Sequence, residues 1–178
     1  MFTAGLEMKV GDVPYDVVSI ELPDEAATEA LGKCLAGAVK KLAGGIRDEG
    51  LNFRLEGTLG AGKTTLTRAF LRNLGVTGRV RSPTFTLVET YSALGLTINH
   101  FDFYRFESPE EFDDAGFRDL FGAGRVTLCE WPEKAGEFLP ASDVDVQIEL
   151  SGDGRKIFLR PRTERGRKVA EEVGREWK

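Results

Sequence analysis

The segment Gly57-Thr58-Leu59-Gly60-Ala61-Gly62-Lys63-Thr64 matches the phosphate-loop pattern G-x-x-x-x-G-K-[ST] at every required position. Such a loop needs a strand before it and a helix after it. Leu51-Asn52-Phe53-Arg54-Leu55 reads as the strand, and the stretch from Lys63 reads as the helix. Gly57, Gly60 and Gly62 let the backbone turn its N–H groups inward, and Leu59 and Ala61 complete the cradle. The following helix adds the positive end of its dipole. Lys63 is expected to reach the β- and γ-phosphates as an exposed charge, and the Thr64 hydroxyl to ligate Mg²⁺.

The rest of the chain reads as an α/β domain around this unit. Asp16–Leu22 has a strand pattern. Asp24 is a candidate helix cap, followed by apolar residues at helical spacing (Ala27, Leu31, Leu35, Val39, Leu42) and a stop at Gly44-Gly45. Strands are expected over 85–91 and 96–101, joined by a turn at Ser92–Gly95, and again over 125–130. Short helices are expected over 109–113 and 117–121. A hairpin is expected for 144–150 and 156–160, and a charged helix from Glu164 to the end. Parallel strands near the loop and hairpins elsewhere predict a three-layer P-loop NTPase-like domain, with a mixed, partly parallel sheet and helices on both faces. At 178 residues the chain fits one domain spanning 1–178.

Charge narrows the partners. The net charge is −5, but residues 155–178 hold nine Lys/Arg against four Asp/Glu, a local +5. That basic stretch could face RNA or an acidic partner, or be a solvated helix end. Two cysteines, Cys34 and Cys129, make no disulfide framework and read as buried small residues. No apolar run is long enough for a membrane, and Met1–Leu6 lacks the pattern of a leader, so a cytoplasmic protein is expected.

Three further segments carry chemistry. Glu130 ends an apolar strand, where a carboxylate can complete a Mg²⁺ shell with Thr64. In His100-Phe101-Asp102-Phe103-Tyr104-Arg105, alternation puts His100 and Asp102 on one face. Asp102 could orient or deprotonate water, and His100 reads as a hydrogen-bonding core residue. Ser82-Pro83-Thr84-Phe85-Thr86 lies one helix beyond the loop, where hydroxyls of switch segments sense a γ-phosphate.

Together GTLGAGKTT, SPTFTLVE, HFDFYR and EWP resemble, in order and spacing, the TsaE (YjeE) family over about residues 23–156. The resemblance implies an ATPase required for threonylcarbamoyladenosine modification of tRNA. Such proteins bind the TsaD–TsaB heterodimer and hydrolyse Mg²⁺-ATP there. It implies that Lys63 and Thr64 hold phosphate and metal, with Thr65 beside them. Glu130 completes the metal shell, Asp102 serves hydrolysis, Trp131 lies near the nucleotide, and Ser82 and Thr84 form the switch-like loop. The family's acidic residue after the first glycine is Thr58 here, so no role for that carboxylate carries over. Read without the resemblance, the chain is also compatible with a stand-alone P-loop kinase, with Arg118 and Arg125 as lid candidates, or with a nucleotide-gated adaptor. The guanine-reading N-K-x-D pattern is absent, which favours adenine.

Overall fold

In Val18–Leu22 (β1) alternate residues Ile20 and Leu22 are buried, as a strand with one covered face requires. The computed structural model of the protein describes residues 15–177, so the reading of Met1–Leu6 lies outside the described residues. Asp24 then caps a helix, its Oδ1 accepting the Ala27 N–H at 2.8 Å. This helix, α1, runs Glu25–Glu49 and passes straight through the expected stop at Gly44-Gly45. Glycine costs about 1 kcal/mol in a helix interior. Ile46, fully buried beyond them, returns roughly 2 kcal/mol or more, and its carbonyl accepts the N–H groups of both Gly50 and Gly124. The real stop is Gly50, at φ +79°, where a Cβ would lie 2.3 Å from the Gly122 carbonyl oxygen.

Leu51–Glu56 (β2) leads through the loop to Lys63–Leu74 (α2). Val88–Ala93 (β3) and Leu96–Asp102 (β4) form a hairpin. Its turn is only Leu94-Gly95, both at positive φ, the geometry that suits a two-residue hairpin. The strand expected from Phe85 begins three residues later. Pro83 to Leu87 is wound into a turn instead, with the Leu87 N–H donating to the Pro83 carbonyl at 2.8 Å and Leu87 itself at φ +68°. Glu111–Asp114 (α3) and a 3₁₀ turn at Phe117–Leu120 precede Arg125–Glu130 (β5). Two more 3₁₀ turns, Pro132–Lys134 and Gly136–Phe138, lead to the hairpin Val144–Ser151 (β6) and Gly154–Pro161 (β7). The helix Glu164–Glu176 (α4) follows, capped by Thr163.

The strands form one mixed sheet in the order β1-β7-β6-β2-β5-β4-β3. The central four, β6, β2, β5 and β4, are parallel; β7 and β3 run antiparallel to them, and β1, antiparallel to β7, runs in their direction at the far edge. One face carries α1, α2 and α4 over the larger core, built on Leu31, Leu35, Phe53, Phe70, Val126 and Val146. The other face carries α3 and the 3₁₀ turns over a phenylalanine cluster of Phe101, Phe103, Phe106, Phe112 and Phe117. Helices therefore lie on both faces, as expected, but on the second face they cover only the β5-β4-β3 half. Over the other half Arg54, Gln147, Lys156, Phe158 and Arg160 stay partly exposed.

Cys129 is buried as expected, and burial pushes its thiol well above the usual range. Cys34 is only half-buried, in the groove that α1 forms with the end of α4. The cations of α4 are largely engaged. Arg167 pairs with Glu164 and Glu171, Arg165 with Glu49 and Asp143, and Arg175 with Glu172. Among the described residues no helix is long and apolar enough to cross a membrane.

Candidate functional site

The parallel strands all end at the same edge of the sheet, and the loop rises from that edge after β2. Gly60 and Gly62 sit at φ +78° and +106°, conformations that L side chains rarely adopt. The Ala61 N–H closes a turn onto the Thr58 carbonyl at 3.0 Å. No side chain caps the start of α2, so the N–H groups of Lys63, Thr64 and Thr65 are left for a ligand. Those groups, at the positive end of a helix dipole, make an anion site.

Lys63 departs from expectation. It is not a surface charge but is 6% exposed. Its ammonium donates to the Gly57 carbonyl and lies 4.0 Å from the centroid of the Trp131 ring. Burial lowers its pKa, and the charges of Glu130, Asp102 and Glu133 oppose that shift. Trp131 reaches this place because its backbone turns into the left-handed region at φ +55° directly after β5, where its ring also meets Tyr104.

Two carboxylates face the lysine. In the parallel β4–β5 register Asp102 is opposite Glu130, and in β2–β5 Glu130 is opposite Leu55 at the root of the loop. Both are buried. Glu130 Oε2 is 2.8 Å from His100 Nε2, while His100 Nδ1 has no partner among the described residues. His100 is thus the hydrogen-bonding core residue expected, but its partner is the carboxylate of the site. Asp102 Oδ1 accepts the Tyr104 N–H at 2.9 Å, and its Oδ2 accepts the Thr84 hydroxyl at 3.4 Å. Burial raises the Asp102 pKa, opposed by the Tyr104 bond. Thr84 in turn meets Ser82 at 2.8 Å, and the Asp102 N–H donates to the Leu87 carbonyl. The switch-like segment and the Leu87 that follows it are thereby tied to Asp102 at two points, the Thr84 hydroxyl and the Leu87 carbonyl.

These donors suit Mg²⁺. Thr64 and Glu130 offer oxygen only, and among the described residues no group of three or more His, Cys, Asp or Glu side chains could hold a metal alone. That combination fits a cation shared between protein and phosphate rather than one caged by protein.

A family model described as "Threonylcarbamoyl adenosine biosynthesis protein TsaE" matches residues 22–157. The chain belongs to the TsaE family. A tRNA threonylcarbamoyladenosine biosynthesis protein TsaE from Haemophilus influenzae is 42% identical over 148 residues, covering 83% of this chain and 92% of that protein. The TsaE of Bacillus subtilis is 37% identical, covering 78% and 87%. The crystal structure of Bacillus subtilis YdiB superposes with a TM-score of 0.68 at 28% identity, over 92% of this chain and 97% of that one. The family role is threonylcarbamoyladenosine biosynthesis on a P-loop nucleotide-binding fold.

Not every residue singled out from the sequence converges on this TsaE site. Lys63, Glu130, Asp102 and Trp131 do, and Ser82 and Thr84 join through Asp102, while Thr64 follows Lys63 in the first turn of α2. Thr65 lies on another flank of the loop, in a cleft of ≈ 330 Å³ with Gly60, Ala61, Asp24 and Thr28. The Leu59 side chain is exposed and faces a different groove with Trp131 and Leu150. The lid candidates are placed elsewhere. Arg118 bonds the Phe138 carbonyl and Asp113, and Arg125 begins β5, the end opposite Glu130. Arg105 lies over the exposed ring of Phe85, 4.1 Å from its centroid. One site residue gave no sequence signal. Arg155, at the start of β7, donates to the carbonyls of Ala61 and Gly60 at 3.0 and 3.2 Å.

The Glu130–His100 bond determines which substitution tests the metal site. Glu130→Ala would strand His100 in the core, at about 1–3 kcal/mol for the orphaned donor. Glu130→Gln keeps a partner for His100 and removes only the charge. Its affinity for ATP without Mg²⁺ should stay within about twofold, while the Mg²⁺-dependent gain falls by roughly tenfold or more. Titration calorimetry with and without Mg²⁺ measures both. Equal losses under the two conditions would assign Glu130 a purely structural role.

Proposed function

We propose that this chain is a Mg²⁺-dependent ATPase that serves tRNA threonylcarbamoyladenosine biosynthesis in the cytoplasm, binding and hydrolysing ATP in association with the TsaD–TsaB heterodimer. The observation that carries the reading is the link from the loop lysine through two adjacent carboxylates to the switch-like segment: Lys63, Glu130, Asp102 and Thr84. The uncapped start of α2 receives the phosphates. Thr64 and Glu130 would hold Mg²⁺, which would supply screening of charge on the transferring phosphoryl group. Asp102 orients the attacking water and accepts its proton, a role that its raised pKa favours. The base and ribose occupy the cleft beside Thr65.

Hydrolysis at a phosphate loop commonly needs an added cation, worth ~10³-fold or more. Here Arg105 is stacked on Phe85 and Arg155 is engaged behind the loop, so the partner supplies it. Phe85, 79% exposed beside Thr84, gives that partner a hold on the switch-like segment. Contact with tRNA is indirect, because the cations of α4 are matched by its own and neighbouring carboxylates.

ATP turnover by the isolated chain should be slow, and TsaD–TsaB should accelerate it. Capture of TsaD–TsaB should be stronger with a non-hydrolysable ATP analogue than with ADP, since the γ-phosphate alone distinguishes the two. Fast hydrolysis by the chain alone, with no capture in either state, would refute the partnership.

A further inference from the structure

Arg155 lies 94 residues from the loop carbonyl it holds most closely, and no sequence motif joins them. Its guanidinium makes three directed bonds, all to carbonyl oxygens: Nε to Ala61 at 3.0 Å, Nη2 to Gly60 at 3.2 Å and Nη1 to Gly154 at 2.9 Å. The last bond fixes the fork to its own strand, and the first two reach across to the phosphate loop, in the cleft that Arg155 lines with Gly60, Ala61 and Thr65. We infer that Arg155 is a positioning residue for nucleotide binding, setting the orientation of two loop peptides, one that turns its N–H toward the phosphate site and one that closes the loop's own turn.

The reason lies in the peptide unit. It is planar, and its C=O and N–H point in opposite directions. Holding the Ala61 carbonyl outward therefore aims the Gly62 N–H inward, next to the free N–H groups of Lys63, Thr64 and Thr65. Holding the Gly60 carbonyl outward aims the Ala61 N–H at Thr58, which closes the turn from the inside. The loop is thus pinned from both sides. A cation on the carbonyl end also polarises the peptide and strengthens its N–H as a donor. Because Arg155 spends its bonds on carbonyls rather than on a carboxylate, its charge remains available to attract an anion. Only a planar fork can meet both loop carbonyls at once, so lysine is not an equivalent. The strand geometry makes the reach feasible. Arg155 stands opposite Leu22 on β1 and Leu150 on β6, at the same sheet edge as the loop.

This inference rests on the nucleotide-binding reading above, and the test separates the two. Affinities for Mg²⁺-ATP and Mg²⁺-ADP are measured for the wild type, Lys63→Ala, Arg155→Ala and Arg155→Lys, with melting temperatures taken without nucleotide. Arg155→Ala should weaken ATP and ADP alike, by ~10–100-fold, because the loop serves the phosphates common to both. Guanidinium ion at low millimolar concentration should restore part of that affinity to Arg155→Ala. It should do nothing for Lys63→Ala. Arg155→Lys should remain impaired and should not respond to guanidinium. Should Arg155→Ala fail to fold, Arg155→Lys carries the comparison, since it keeps the charge and the stem. Affinity within twofold of wild type in the folded variant would overturn the inference while leaving the nucleotide reading intact. A lowered melting temperature with no rescue by guanidinium would reduce Arg155 to a hairpin fastener. Absence of nucleotide binding by the wild type itself would overturn both.

Discussion

Lys63→Ala should remove productive ATP binding while leaving the fold in place. Losing a charge-assisted contact to phosphate costs about 2–3 kcal/mol, or roughly 30–150-fold in affinity. The burial of Lys63 sharpens the expectation. Its ammonium is held at the Gly57 carbonyl, over the Trp131 ring and among the charges of Glu130, Asp102 and Glu133. The variant loses favourable contacts but also the cost of desolvating a cation. Its melting temperature without nucleotide should accordingly move by only a few degrees. Calorimetric titration with Mg²⁺-ATP checks the affinity and a thermal melt checks the fold. A folded variant with wild-type affinity would take away the basis of the nucleotide reading.

Asp102→Asn should leave ATP affinity within about twofold and cut partner-stimulated turnover by ~10²-fold or more, because the amide keeps the size but cannot take a proton. The same substitution should make the protein more stable at neutral pH. Burial raises the Asp102 pKa, so the native state binds this proton more tightly than the unfolded state does. The ionised carboxylate therefore costs stability above its native pKa, and the variant lacks that cost. A higher melting temperature than that of the wild type is expected at pH 7.5. The gain should shrink as pH falls through the raised pKa, where the wild type takes up the proton. Turnover is measured as phosphate release with TsaD–TsaB present. A wild-type rate would remove Asp102 from the catalytic set, and a gain that persists at acid pH would refute the electrostatic account.

What could be read from the chain and what could not divide along a physical line. Local pattern sufficed for β2, α2, β5 and the β6–β7 hairpin, because alternation, spacing and the glycines at Gly60 and Gly62 act over a few residues. Pairing Asp102 with Glu130 needed the β4–β5 register, which neither strand specifies alone. The overrun of α1 past Gly44-Gly45 reflects burial of Ile46, a tertiary gain that exceeds local propensity. The late start of β3 reflects the turn that holds Thr84 against Asp102, a local conformation serving the site rather than the sheet. Lys63 looked exposed because its burial depends on Trp131, which only the left-handed turn after β5 brings over it. Arg155 had no local signal at all, since its partners in the phosphate loop are backbone oxygens almost a hundred positions away.

The stacking of Lys63 on Trp131 has an optical consequence. An indole emits according to the charges and polarity around it. One of the two tryptophans here, Trp131, carries the Lys63 ammonium 4.0 Å from its ring, while the other, Trp177, closes α4 at a separate groove beside Cys34. If ATP binds as proposed and draws that ammonium toward phosphate, the Trp131 ring would lose the charge stacked on it while Trp177 would not. The loop would then carry a built-in fluorescent reporter. With Trp177→Phe to silence the background, each arrival and departure of nucleotide would be written in the emission of a single side chain, at the speed of a stopped-flow trace and without any attached dye.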